Sequence, residues 1–499
     1  MHAFLNNLDI SPLVPEEYAP YRSLVAETLL FFLGRLSPAR LVEIIAAQNR
    51  LPDNAGIIQR LSTLLHFCPT LHKLGQLLAR NQQLAPALRK QLQKLESMEP
   101  MVPLFAITPT IRRELGKDKF AGIRLEKPLA EASVAVVLPF FSRSENTSEN
   151  RGGVLKVLKP GIEERLEEEL AIWATVSVFI DERCEALNLA SLHYAEVLEA
   201  VRELLFNEVK LDREQQNLAE AAQLYRNRAS AVQIPYLLPF STPRITAMER
   251  ITGNKVTEVQ RLSEKARRDL ATMVIDTLIT CPACSNDGFS LFHADPHAGN
   301  LFVTDEGRLA ILDWSLVGRL GKRERELLVQ LFLGAMMFSV SRITHAIEGL
   351  ACSQPDHNLV RKISEKGLRR LHPIKFPGFS WLVKLLDDAK LLAEVRFPSD
   401  LLLFRKSILT LEGVVADICS DYRFDKTLFM SATHQFRQEL LARTLSSPIS
   451  RDFGTHVSNL DLLNLYLSLP MGLGRRCVDF LGDNIKNKLS LMQKSDRAP

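Results

Sequence analysis

The hydrophobic pattern changes its period along the chain. From residue 1 to about 100, apolar positions recur at helical spacing with little β-branched alternation; Ser37-Pro38 marks a helix start and Pro69 a break. From 101 to about 160 the pattern turns β-prone. Ser133 to Phe140 (SVAVVLPF) and Val154 to Leu158 (VLKVL) read as two strands, joined through the polar segment SRSENTSENRGG. Pro160-Gly161 then opens a helix whose Glu163, Glu164, Glu167 and Glu168 read as a solvated face. One long helical pattern covers Tyr194 to about Tyr225, and two strands follow, Tyr236 to Phe240 and Arg244 to Glu249, around Ser241-Thr242-Pro243. Beyond Gly253 the chain reads as helical, except that Leu301 to Asp313 carries two short apolar runs around Asp305-Glu306-Gly307, a hairpin pattern. The expected domains are 1–100, a helical extension; 101–253, a small α+β lobe of sheet plus long helix; 254–420, a helical lobe; and 421–499, a helical tail.

Composition narrows the function. With 499 residues and 46% hydrophobic content the chain can bury a full core. Its 62 basic and 58 acidic side chains nearly cancel, so no long-range attraction to nucleic acid is expected and anion binding must be local. Seven scattered cysteines suit a reducing compartment rather than a disulfide framework, which makes the cytoplasm the default location. The opening MHAFLNNLDI lacks the pattern of a signal peptide, and the apolar runs Leu24 to Gly34 and Leu331 to Val340 are shorter than a transmembrane helix needs, so they read as buried helices. A C-terminal stripe of Val478, Leu481, Ile485, Leu489 and Met492 amid basic residues suits packing on the core or peripheral contact with an anionic membrane.

The most specific segment is His293-Ala-Asp-Pro-His-Ala-Gly-Asn300, followed across the hairpin by Asp313. Phosphoryl transfer from ATP needs a carboxylate to orient the acceptor and oxygen ligands to hold magnesium against the phosphates. Asp295 suits the first task, Asn300 and Asp313 the second. The bland alternative is that Asp295 and Asn300 merely cap turns. Lys156, on the strand VLKVL among apolar neighbours, sits where a solvated lysine is unexpected and suits phosphate neutralisation, although a surface lysine is the alternative.

Six segments in order resemble the UbiB/AarF family of atypical kinase-like proteins: Lys73-Leu-Gly-Gln76, Ala130-Glu-Ala-Ser133, Lys156-Val-Leu-Lys-Pro-Gly161, Glu208 through Asn217, the HADPHAGN loop, and Phe397-Pro to Glu412-Gly413. The resemblance implies an α+β, two-lobed protein-kinase-like fold with a helical N-terminal extension laid over the site and a helical C-terminal tail. It implies ATP and Mg2+ as cofactors, ATPase or atypical kinase activity, and a link to ubiquinone or other isoprenoid-lipid metabolism and its proteins at a membrane. Its catalytic residues fall on Asp295, Lys156 and Glu214, and its metal ligands on Asn300 and Asp313. Its nucleotide-binding residues fall on Ala130, Ala132, Ser133, Lys156, Lys73, Gln76, Glu208, Met248 and Glu249. Glu208 and Glu214, six residues apart on the long helical pattern, would point to different faces, Glu208 serving Lys73 and Glu214 serving Lys156.

Three departures from the family pattern stand out. Glu131 places an acid in the alanine-rich loop, which weakens phosphate binding unless the side chain points away. Lys210 replaces the second acid of an acid-x-Asp motif and, read as one helix face with Glu214 and Asn217, either competes with Lys156 for Glu214 or turns away from the pocket as part of an exposed surface pair. Asp313-Trp314-Ser315 stands where Asp-Phe-Gly is usual, and serine in place of a positive-φ glycine costs about 1 kcal/mol. These departures leave a catalytically weak nucleotide-binding scaffold as the alternative reading. The Asp-Trp pair leaves a small-molecule phosphotransferase similar to aminoglycoside and choline kinases as another. Cys281-Pro-Ala-Cys284 has metal or redox spacing but lacks an evident second ligand pair, and His293 and His297 read as braces of the loop around Asp295.

Overall fold

The computed structural model describes residues 14, 16–79, 102–143, 150–189, 194–228, 230–259, 262–371 and 377–468. The C-terminal stripe at Val478 to Met492 lies outside the described residues, as does 144–149 within the polar strand connection. The chain forms two compact units. The first comprises Met1–Asn227, Ile234–Thr252 and Leu312–Leu316, and the second Arg228–Gln233, Gly253–Ile311 and Val317–Pro499.

The first unit begins with helices α1 (Arg22–Leu33), α2 (Pro38–Asn49), α3 (Ile57–Phe67) and α4 (Pro69–Ala79). Ser37 precedes α2 with Pro38 at its first position, where the missing N–H costs nothing. Helix α5 (Leu104–Ala121) covers a sheet of β1 (Ile123–Leu125), β2 (Ala130–Glu131), β3 (Ala135–Arg143), β4 (Asn150–Leu158) and β5 (Ile245–Glu249). The order is β1-β3-β4-β5 with β2 on β3, and all pairs are antiparallel. Side chains alternate across a strand. Leu155 and Val157 of β4 therefore join Ile107 and Ile111 of α5 in one core, while Leu158 packs with Ile162, Leu166 and Leu205 on the other face.

Gly161, at φ 67, makes the left-handed turn from β4 into helix α6 (Ile162–Ala186). One face of α6 buries Trp173, Val176 and Ile180 against Phe32, Leu33 and Ile44 of α1 and α2. The segment Tyr194 to Tyr225 is not one helix but two, α7 (Tyr194–Glu208) and α8 (Leu211–Leu224), broken at Lys210 (φ −91°, ψ 74°). Asp212 and Glu214 in the first turn of α8 favour a new N-terminus there. Tyr236 to Phe240 makes an isolated bridge, Leu237 to Met248, with Leu238 N donating to the Ala247 carbonyl at 2.8 Å and Glu249 N to that of Tyr236 at 2.9 Å.

The second unit carries a four-stranded sheet built from Val232–Gln233, β6 (Gly253–Lys255), β8 (Leu301–Thr304) and β9 (Leu309–Ile311), and a two-stranded one that pairs β7 (Phe289–His293) with β10 (Val317–Gly321). The expected hairpin appears as β8 and β9, antiparallel, with Gly307 at φ 79 in its turn. The helices described for this unit include α9 (Glu264–Ile275), α10 (Lys322–Met336), α11 (Val340–Leu350), α12 (His357–Arg369), α13 (Phe379–Leu392), α14 (Ser399–Ile418) and α15 (Phe424–Thr444). The apolar run Leu331 to Val340 divides between α10 and α11 at Phe338, which has φ 54. Among the described residues no helix is long and apolar enough to cross a membrane.

Candidate functional site

Strand alternation carries Lys156 to the face of the sheet opposite α5, at register with Val137 and Thr246. It is buried there between two carboxylates of the same unit: Nζ donates to Glu214 Oε1 at 2.8 Å and to Asp313 Oδ1 at 3.2 Å. Burial works against its charge, but the two acids outweigh it and raise the Lys156 pKa. The excess negative charge falls on Glu214. Burial first, and Asp313 in addition, push that carboxyl up to about 7. Glu214 Oε2 is buried without a hydrogen-bond partner among the described residues.

A second charged group lies on the same unit. Lys73, buried on α4, forms an ion pair with Glu208 at the end of α7, and Glu208 Oε2 accepts from Ser133 Oγ at 2.6 Å. Two lysines are thus matched with two acids, but by two helices rather than by two faces of one. Lys210 is exposed at the helix break, so it does not compete for Glu214. Gln76 lies 3.4 Å from His72 within α4. Ala130 is exposed, Ala132 half-buried, and Met248 and Glu249 half-buried at the end of β5, with Met248 opposite Val154.

Glu131 points away from the loop face. It is buried, 2.7 Å from Lys159 Nζ and 2.9 Å from His66 Nδ1. Burial opposes its charge, yet the bond to His66 and the nearby Lys159 hold it down at about 2. The positive φ in Asp-Trp-Ser belongs to Asp313, at 53, and not to Ser315. Asp tolerates this region, and Ser315 N donates to its Oδ1 at 3.3 Å. Trp314 is buried against Tyr225, and its carbonyl accepts from Asn217 Nδ2 at 2.9 Å.

On the second unit, the loop after β7 is braced by its histidines. Asp295 N donates to His293 Nδ1 at 3.2 Å, and Gly299 N to His297 Nδ1 at 3.1 Å. Asn300 Nδ2 donates to the Asp295 carbonyl at 3.2 Å, Ser407 Oγ on α14 donates to the His293 carbonyl at 2.8 Å, and Lys406 Nζ lies 3.8 Å from Asp295 Oδ1. The structure thus brings Lys156, Glu214 and Asp313 together on one unit, and Asp295 with Asn300 on the other. Cys281 and Cys284 are free thiols whose pKa burial raises, Cys284 to about 12, and among the described residues no group of three or more His, Cys, Asp or Glu is placed to hold a metal.

Sequence reading missed three partners. Lys159 stands inside the Lys-Pro-Gly segment and His66 near the end of α3, and nothing in their spacing ties either to Glu131. Glu169 was the legible one, as it continues the buried stripe of Ile162, Leu166, Trp173 and Val176 on α6.

The model of the ABC1 atypical kinase-like domain matches residues 94–347, half of the chain. The chain belongs to this atypical kinase-like family. A probable protein kinase UbiB of Cellvibrio japonicus is 26% identical over 376 residues, 71% of this chain and 64% of its own length. An aarF domain-containing protein kinase of Arabidopsis thaliana is 29% identical over 266 residues, 51% of this chain and 47% of its own length. A probable protein kinase UbiB of Pseudomonas fluorescens is 25% identical over 419 residues, 79% of this chain and 75% of its own length. The chain therefore spans less than two thirds of the first two relatives. Among solved structures, the Rv3197–erythromycin complex from Mycobacterium tuberculosis matches with TM-score 0.47 and 18% identity, over 81% of this chain and 94% of that one.

Proposed function

We propose that this UbiB/AarF-type protein binds Mg-ATP and acts as an ATPase or atypical kinase, in support of isoprenoid-quinone metabolism. The observation that carries the reading is the buried Lys156 held between Glu214 and Asp313. A lysine fixed in this way remains charged and cannot turn to solvent, as a residue that neutralises phosphates must not. Mg-ATP, when bound, would supply the transferable phosphoryl group together with a metal that neutralises its charge.

The residues fit that cofactor. Magnesium takes oxygen ligands and keeps several waters. Asp313 offers a carboxylate whose side chain is 38% exposed. The partnerless Glu214 Oε2 is short of a donor of the kind a hydrated cation carries. In this reading, on the first unit Lys156 would take the phosphates nearest the scissile bond, Glu214 would orient Lys156 and Asp313 would offer a metal its carboxylate, while on the second unit Asn300 offers an amide oxygen of the kind magnesium accepts. Asp295 orients the acceptor. The quinone link rests on the family alone.

Catalytically weak nucleotide binding is the second reading, favoured by the exposed Lys210 where the family motif has an acid. Purified protein with Mg-ATP separates the two. Asp313→Asn, which tolerates the same backbone, should lower phosphate release by at least about 10²-fold. Equal turnover by variant and parent refutes the enzyme reading. A nucleotide-dependent rise in Tm without any phosphate release in the parent supports the scaffold.

A further inference from the structure

The alanine-rich loop between β2 and β3 is tied down at two points, one of them by side chains that the nucleotide reading does not use. At one end, Glu131 is 4% exposed and meets three separate segments: His66 near the end of α3, Lys159 just past β4, and the backbone N–H of Val102, which donates to Oε2 at 3.1 Å. At the other end, Ser133 donates to Glu208, which pairs with Lys73 on α4. Between them, Ala132 N donates to Ala135 O at 2.8 Å and closes a tight turn, and Lys159 N donates to Val134 O at 2.9 Å. Both anchors therefore lead to the helical extension, to α3 through His66 and to α4 through Lys73.

An acid in a loop that faces phosphates is a liability unless its charge is consumed elsewhere. Here one buried carboxylate stands between an ammonium and an imidazole, so its charge is neutralised on the side away from the loop face. Arg165 adds positive charge near Lys159. The same burial fixes the backbone of residue 131, and with it the neighbouring N–H groups. Loop residues that are already ordered need not be ordered when a ligand binds, so the ligand keeps that share of its affinity.

We propose that Glu131 is a positioning residue for the phosphate loop, acting through a buried charge cluster with His66 and Lys159 that makes the loop and the helical extension a single rigid element. The inference rests on the reading of Ala130 to Ser133 as nucleotide-contacting, and it adds a device that the alanine-rich loop alone lacks. Glu131 touches neither nucleotide nor metal. Its effect passes through the backbone of the loop, and its removal should weaken binding without slowing the chemical step.

The test uses the full chain, a fluorescent Mg-ADP analogue as the probe, steady-state ATPase kinetics, and melting without nucleotide. Glu131→Ala should weaken Mg-ADP on the order of tenfold, the cost of re-ordering one or two loop residues, and raise KM for ATP with kcat kept. His66→Ala should weaken it by a smaller factor, and the double variant should bind no more weakly than Glu131→Ala alone, because both act through one cluster. Glu131→Gln retains the size and the bond to Val102, so it folds where the alanine variant fails, and it should show an intermediate loss. Parental affinity in folded Glu131→Gln and His66→Ala overturns the inference, as do losses that simply multiply in the double variant. A parent that binds no Mg-ADP refutes the nucleotide reading itself, and this inference with it, whereas a binding parent with unaffected variants refutes only the role of Glu131.

Discussion

The helix that carries Lys73 is held at its start by a buried acid, and removing that acid gives a sharp test of how the first unit is built. Glu169 on α6 is fully buried. It forms an ion pair with Arg40 of α2, accepts from Thr70 N at 3.0 Å and Thr70 Oγ1 at 2.5 Å, and Trp173 Nε1 donates to that hydroxyl at 2.7 Å. Thr70 is the second residue of α4, so Glu169 acts as a cap supplied from another helix, a negative charge at a helix N-terminus. Burial raises its pKa against the opposing pull of Arg40 and Thr70, yet the guanidinium alongside requires the charged form. Glu169→Ala leaves Arg40 buried with Glu168, at 3.0 Å, as its remaining carboxylate, and strips two donors of Thr70. Removing one partner of a buried ion pair costs 3–5 kcal/mol in general, and the surviving Glu168 pair places this case at about 3 kcal/mol. For a unit of this size the loss corresponds to a fall in Tm of about 6–12 °C. Glu169→Gln, which still accepts from Thr70 N, should lose about half as much. Calorimetry and urea unfolding of the three proteins decide it: a Glu169→Ala variant within 1 kcal/mol of the parent would refute the cap.

Two further outcomes follow from the same physics. His456 is fully buried, and burial first, then Arg325, lowers its pKa from 6.5 to about 4; the neutral imidazole is the folded form, so the stability it contributes is complete above about pH 6.5 and lost as pH falls towards 4. Stability of the parent should therefore drop by about 3 kcal/mol across that window, and His456→Asn, which tolerates the observed φ of 52, should flatten this limb in a series of urea midpoints. On β4, a Cβ at Gly153 would lie 2.7 Å from the Phe140 ring and 2.9 Å from the Met248 carbonyl, so Gly153→Ala should cost about 1–3 kcal/mol, and an unchanged urea midpoint would show that the strand gives way instead.

Lys156 and the hairpin before Asp313 were legible because each rests on a local pattern, strand alternation in one case and a turn between apolar runs in the other. The pairing of Lys73 with Glu208 and of Lys156 with Glu214 was legible through the family resemblance, but its geometry was not. A continuous helical period hides a break made by φ and ψ at a single residue, Lys210. The strand expected at Tyr236 to Phe240 shrinks to one bridge with two backbone bonds beside it, in a stretch flanked by Pro235 and interrupted by Pro239. The glutamate run on α6 divided: Glu163, Glu164 and Glu167 are exposed as expected, but Glu168 turns to Ser37 and Arg40. The Glu131 cluster was out of reach, since its members lie on segments 65 and 28 residues apart whose meeting only the tertiary fold decides.

The Asp-Trp-Ser segment shows why a departure from a family pattern is best judged by where the chain places its strain. Serine in the glycine position implies a backbone cost at Ser315. The positive φ instead falls two residues earlier, on Asp313, a residue type that accepts it and is steadied by the Ser315 amide. The larger indole then does what phenylalanine could do only in part. It fills a fully buried site beside Tyr225, and Asn217 of α8 holds the carbonyl of the same residue. Helix α8 also carries Glu214, so both carboxylates that flank Lys156 are referenced to one helix, one through its side chain and the other through a backbone tether three residues further along. On this unit the placement of both acids that hold Lys156 therefore depends on α8.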